Sequence, residues 1–209
     1  MTRGIRVPTM VVAAVVSIGI AAAPMALAAT TDLTDAEVSA LQYNREEERL
    51  ARDLYQALAD HYDGARPFSR IVRAEQQHFN AVGTLLERYG VADPSIDATP
   101  GSYADPDLQA AYDNWYAQGL VSIADAYQVG IELETQDIAE LREAAESATA
   151  ADVISTFERL EAGSSTHLAA FERAAHGQTG GGGQWGQGQG TASDQSDQRG
   201  QRRGGGRVR

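Results

Sequence analysis

Apolar residues recur every three or four positions through most of residues 35–175, in four long runs. That spacing predicts helices with one buried face each. The first run spans Asp35 to Tyr62, with Leu41, Ala51, Tyr55, Leu58 and Tyr62 on one stripe. Asp63-Gly64-Ala65-Arg66-Pro67 breaks it as a short turn, and Pro67 can open the next helix because its fixed φ suits a first turn. The second run covers Phe68 to Tyr89 and stops at Gly90. The third covers Leu120 to Ser147, and the fourth runs to Ala175 after a cap at Thr149 or Asp152.

The connections set the topology. Short links join the first helix to the second and the third to the fourth, so each pair is antiparallel. Residues 91–119 hold two Asp-Pro steps, Thr-Pro-Gly and a short helical stretch from Leu108 to Gln118. That segment can run the whole length of a bundle. The expected fold is all-α, a four-helix bundle with a long crossover between helices two and three, which is the topology of ferritin-like folds.

The two ends differ from this body. Arg3 and Arg6 precede an uncharged run from Val7 to Ala29, with Pro24 and then Ala26-Leu27-Ala28. Residues 1–28 therefore read as a signal peptide cleaved near Ala28, giving a secreted chain with no stable membrane anchor. From Gly177 the sequence is rich in Gly and Gln with scattered Arg, a composition that cannot offset the entropy of ordering. The expected division is signal peptide 1–28, helical domain 29–176 and disordered tail 177–209.

Charge and composition narrow the chemistry. The net charge is −12, and both ends are basic, so the helical body is more acidic than the chain as a whole. Such a body repels nucleic acid. There is no Cys, which excludes thiolate zinc sites, iron–sulfur clusters and Cys nucleophiles. Any metal must bind through His, Asp and Glu.

Several acids fall on the apolar stripes. At about 100° per residue, Glu75 and His78 lie inside the stripe of the second helix and, as an i, i+3 pair, reach one point. Glu134 and Asp137 lie in the middle of the third stripe, while Glu132 points away. His167 and Ser164 lie on the fourth, beside Val153, Phe157, Leu160, Leu168 and Phe171. Glu48 lies on the first; Glu47 is at its border and Glu46 points out. Four inward carboxylates and two imidazoles need positive charge. Arg73, Arg142, Arg159 and Arg173 fall off the stripes, and Arg52 alone is near enough to Glu48 to pair with it. Two divalent ions would balance four carboxylates. Carboxylate and imidazole without thiolate suit iron first, with manganese or zinc as alternatives.

The body resembles the ferritin-like di-iron carboxylate superfamily, over roughly residues 36–174. Glu48-x-x-Ala51-x-x-x-Tyr55 is similar to its first-helix pattern, in which the Glu is a ligand. Glu75-x-x-His78 is similar to its ligand motif, and Glu134-x-x-Asp137 to the paired acids of rubrerythrins. Within the superfamily, an uncharacterised branch of extracytoplasmic proteins resembles the chain at Arg45–Ala51, Glu75–His78, Ile131–Ile138 and Gly163–Phe171. The resemblance implies Glu48, Glu75, His78, Glu134, Asp137 and His167 as ligands of two metal ions, with Tyr55 and Ser164 beside them. One departure is visible: Ser164 stands where the superfamily has a Glu. Asp137 and Glu161 can each supply the fourth carboxylate, and Asp137 is the better centred.

The implied activity is oxidation of Fe(II) or reduction of peroxide, for which an external reductant is needed because the chain carries no Cys-based electron carrier. A non-catalytic metal-buffering protein and a structural bundle are the other readings. The sequence names no oligomer.

Overall fold

The computed structural model describes residues 32–178. The expected signal peptide and the tail from residue 179 onward lie outside the described residues. Five helices follow in order: α1 (Asp35–His61), α2 (Phe68–Tyr89), α3 (Pro106–Gly119), α4 (Ile123–Ser147) and α5 (Ala151–Ala175). There is no strand among the described residues, so the all-α expectation holds. None of the helices is long and apolar enough to cross a membrane.

Local chemistry sets the helix ends. Thr34 Oγ1 accepts from the Glu37 N–H, and Glu37 Oε2 accepts from the Thr34 N–H at 2.8 Å, a reciprocal box that starts α1. Asp105 accepts from the N–H groups of Asp107 and Leu108 and starts α3 at Pro106, two residues before the expected Leu108. Ser122 caps α4, which leaves Leu120 and Val121 in the preceding turn. Gly90 ends α2 with φ 65°, a left-handed conformation that Gly adopts at no steric cost.

The expected cap of the last helix is corrected. Neither Thr149 nor Asp152 caps α5; its N-cap is Ala150, which has no side chain to offer. Glu37 does the work from another helix. Its Oε1 accepts from the backbone N–H of Thr149 at 2.7 Å and of Ala150 at 2.8 Å. Burial raises the Glu37 pKa, but the N–H groups of Ala150, Thr34 and Thr149 outweigh it and bring it down to about 2. A depressed acid contributes stability that is present above its unfolded pKa and lost as pH falls through its folded one, so this contribution fades between 4.5 and about 2. Glu37→Gln is expected to cost about 1.5–3 kcal/mol at neutral pH, the range for hydrogen bonds to a charged group. Urea denaturation at pH 7 and pH 3 checks it: the deficit should shrink at the lower pH.

The four long helices form a ring in the order α1, α2, α5, α4, each packing on the next, with α3 against α1 and α4. Apolar residues fill this ring in two separate layers. One layer contains Leu54, Tyr55, Leu58, Phe68, Ile71, Ala126, Val129, Leu133 and Phe171. The other contains Leu41, Val82, Leu85, Leu86, Leu141, Val153, Phe157 and Leu160. Along each of the four long helices, residues of one layer precede the stripe acids or imidazole and residues of the other follow. A polar layer therefore sits between two apolar plugs.

The crossover, residues 90–122, lies along the outer side of α1. Gln42 donates to the Ala92 carbonyl, Arg45 pairs with Asp93, and the Ser95 hydroxyl donates to Glu46 at 2.7 Å. Arg49 donates to the carbonyls of Thr99 and Ser102, and Asp53 accepts from the Gly101 N–H and the Tyr103 hydroxyl. The Tyr62 hydroxyl then holds the Gly119 carbonyl at 2.7 Å. These α1 residues form a second, polar stripe at helical spacing. Glu46 was expected to point out; it is 4 % exposed, because the crossover covers it. Arg52, expected near Glu48, pairs instead with Asp53 and Gln76.

Candidate metal centre

The polar layer is built from all four long helices. The stripe spacing that buries Leu41 and Leu58 turns Glu48 of α1 inward. In α2 the i, i+3 spacing stacks Glu75 and His78 on one face. Glu134 and Asp137 do the same in α4, and Ser164 and His167 in α5. Glu48, Glu75, Glu134 and Asp137 are between 1 and 4 % exposed.

These groups converge. His78 Nδ1 lies 3.1 Å from Glu75 Oε2 and 3.3 Å from Glu48 Oε2. His167 Nδ1 lies 2.8 Å from Glu75 Oε1 and 3.6 Å from Glu134 Oε2. The two imidazoles stack with centroids 5.4 Å apart. Glu75, His78 and His167 each offer a donor atom within 4.8 Å of the others. The Tyr55 hydroxyl donates to Glu134 Oε1 at 2.8 Å. Ser164 Oγ donates to the Leu160 carbonyl at 3.1 Å and lies beside the Asp137 carboxylate. His61 and His176 are exposed and take no part.

Between the carboxylates and the imidazoles, proximity does not give aligned hydrogen bonds. Nδ1 of both imidazoles, Glu75 Oε1, Glu48 Oε1 and Asp137 Oδ1 are buried with no hydrogen-bond partner. Buried polar atoms left in this way are costly, so five in one layer demand an explanation. Charge points the same way. Even with both imidazoles protonated, two carboxylates of the four stay uncompensated.

The electrostatics record that strain. Burial and the charges of Asp137 and Glu75 push Glu48 well above the usual carboxylate range. Burial and the charge of Glu134 do the same to Asp137, against the Ser164 hydroxyl. Burial and Glu75 raise Glu134 to about 7. Burial opposes a charge on Glu75, but His167 and His78 outweigh it and hold its pKa at about 2. Burial likewise opposes a charge on His167, and Glu134 and Glu75 lift it to about 10.

Three neighbours escaped the reading of the sequence. Glu47, placed at a stripe border, is 3 % exposed and faces Glu140 of α4. Glu140 follows Asp137 by three residues, a spacing that could have flagged it. Gly163 of α5 sits against the His78 ring: a Cβ there would lie 2.5 Å from Nε2. Gly163→Ala should therefore displace His78 and lower metal affinity about tenfold, as loss of a group that orients a ligand does. Competition against a chromogenic chelator measures it.

Fold and layer together define an all-helical protein with a buried carboxylate–imidazole cluster contributed by four helices. The chain belongs to the family described as "Uncharacterized protein domain (DUF2202)", whose model matches residues 37–184. It is similar to uncharacterized protein MJ0754 of Methanocaldococcus jannaschii, with 34 % identity over 141 residues, 68 % of this chain and 76 % of the relative. The crystal structure of hypothetical protein MJ0754 from Methanococcus jannaschii matches with a TM-score of 0.68 and 33 % identity, covering 70 % of this chain and 83 % of that one.

Proposed function

We propose that the chain is a ferritin-like four-helix protein that binds two divalent metal ions, iron foremost, between Glu48, Glu75, His78, Glu134, Asp137 and His167. One observation carries this reading: five buried carboxylate and imidazole atoms of the polar layer have no hydrogen-bond partner. The donor set of hard oxygen and imidazole nitrogen fits iron or manganese, with zinc an alternative. The ring order of the helices and the long crossover support the ferritin-like assignment.

A redox-active pair of ions, when bound, would supply electrons to dioxygen or peroxide. The residues provide the setting. The two apolar layers keep bulk water from the polar layer, and the near-complete burial of its carboxylates restricts access to ions and very small molecules. Tyr55 holds Glu134 by its hydroxyl, fixing the direction of that carboxylate. Turnover calls on an external reductant. Metal buffering is the non-catalytic form of the same reading. The leader read at residues 1–28 would place loading outside the cytoplasm, since general secretion passes unfolded chains.

Asp137 takes the place of the Glu that the superfamily carries at position 164. Its carboxylate lies beside Ser164, and Asp137 Oδ1 is one of the unpartnered atoms. The competing acid, Glu161, is held on the surface by Arg142 at 2.5 Å. Asp137→Asn should lower metal occupancy strongly and Glu161→Gln should barely change it. Iron and manganese titrations followed by elemental analysis test the assignment, and the reverse ranking would move the ligand to α5.

A further inference from the structure

Beside the polar layer, the seam between α1 and α4 holds acids that the buried pair does not use. Glu47 lies next to Glu48 in the chain, yet its carboxylate turns toward α4 and meets that of Glu140. Oε2 of Glu47 and Oε2 of Glu140 are both buried with no hydrogen-bond partner, and so is Asp137 Oδ1. Among the described residues, no Arg or His lies within ion-pair distance of Glu47, Glu140 or Asp137. The Tyr43 hydroxyl lies against Glu140, with Asp105 of the crossover nearby.

When both are ionised, two facing carboxylates can only accept, so neither satisfies the other. Glu140 is half-buried and reaches solvent, Glu47 is buried behind it, and Asp137 belongs to the polar layer itself. The acids thus descend from the surface to the centre. We propose that the α1–α4 seam carries a third cation site, in which Glu47, Glu140 and Asp137 take a hard divalent cation on its way to the buried pair. Oxygen-only ligation and an open edge suit a weakly held, partly hydrated ion. The negative edge draws cations to a seam where carboxylates lead inward. The inference rests on the buried pair for the destination of the ion and shares Asp137 with it; Glu47 and Glu140 belong to the seam alone.

Mn(II) added to the full chelated chain, followed by titration calorimetry and by stopped-flow loading, tests this. Wild type should show a tight class of ions and one weaker ion. Glu47→Gln and Glu140→Gln should each remove the weaker ion, keep the tight class, and slow loading about tenfold, a typical scale for lost steering. The paired Glu75→Ala, His78→Ala variant should do the opposite, losing the tight class and keeping the weaker ion. Absence of a weaker ion in wild type, as when a shared proton holds Glu47 to Glu140, overturns the proposal. So does its survival in both Gln variants, or loss of the tight class in Glu47→Gln, which would make Glu47 a ligand of the buried pair. A tight class untouched in the double Ala variant sinks the buried pair instead and leaves the seam site standing. Gln has the volume of Glu and removes repulsion, so melting temperature should hold or rise; Glu140→Gln, at the open edge, carries the test if Glu47→Gln does not fold.

Discussion

Exchange of Glu75 and His78 together for alanine is expected to abolish tight metal binding, taking the chain from about two ions to almost none. Glu75 is the hub of the layer. Its two oxygens reach both imidazoles, at 3.1 Å from His78 and 2.8 Å from His167. His78 in turn is the contact of Glu48. Removing the pair therefore leaves Glu48 and His167 without the group that brings them together. Because the change also takes away buried charge, the variant should fold. Elemental analysis of gel-filtered protein decides the matter: metal at the wild-type level in a folded variant would place the ions elsewhere.

Chelation should lower stability, and by more at alkaline than at acidic pH. Metal held at a thousand times its Kd adds about 4 kcal/mol, which for a domain of this size is a melting shift of about 10 °C. The sign of the pH effect follows from the acids. Glu48 and Asp137 are raised well above their ordinary values and Glu134 to about 7. An acid with a raised folded pKa binds more protons folded than unfolded, so stability falls as pH climbs from 4.5 through 7 and beyond. His167, raised from 6.5 to about 10, adds stability that is whole below 6.5 and lost toward 10, in the same direction. Glu37 and Glu75, whose pKa values are depressed, act only between 4.5 and about 2, and Asp93 and Asp152 are likewise lowered, below 3.8. Chelated protein should thus melt higher at pH 5.5 than at pH 8.5, and metal should remove that difference. Calorimetry at the two pH values, with and without chelator, reads it; a flat profile in chelator would mean that the acids are already compensated by the chain.

The helices and the polar layer could be read from periodicity because both follow from the angle between residues. An acid within an apolar stripe is buried wherever the stripe is buried, and Glu48, Glu75, Glu134 and Asp137 needed no knowledge of their partners. The outer side of α1 could not be read in this way. Glu46, Arg49 and Asp53 look like an ordinary solvated face with i, i+3 and i, i+4 pairing, and only the path of the crossover buries them. The cap of α5 was missed for a similar reason. Thr149 and Asp152 are good local cap residues, but the N–H groups there are taken by Glu37, 112 positions earlier in the chain. Periodicity reports what one helix wants; contacts between distant segments lie beyond it.

The placement of the six polar groups has a consequence for assembly. The α1–α2 hairpin brings Glu48, Glu75 and His78, and the α4–α5 hairpin brings Glu134, Asp137 and His167. Neither hairpin holds more than half of the set, and the crossover is their sole covalent tie. An ion held by all six groups would therefore clasp two half-molecules together, and its binding free energy would be docking energy. Cut once between α2 and α3, the chain would become two fragments whose affinity for each other rises and falls with the metal concentration, an ion-dependent heterodimer made from one polypeptide.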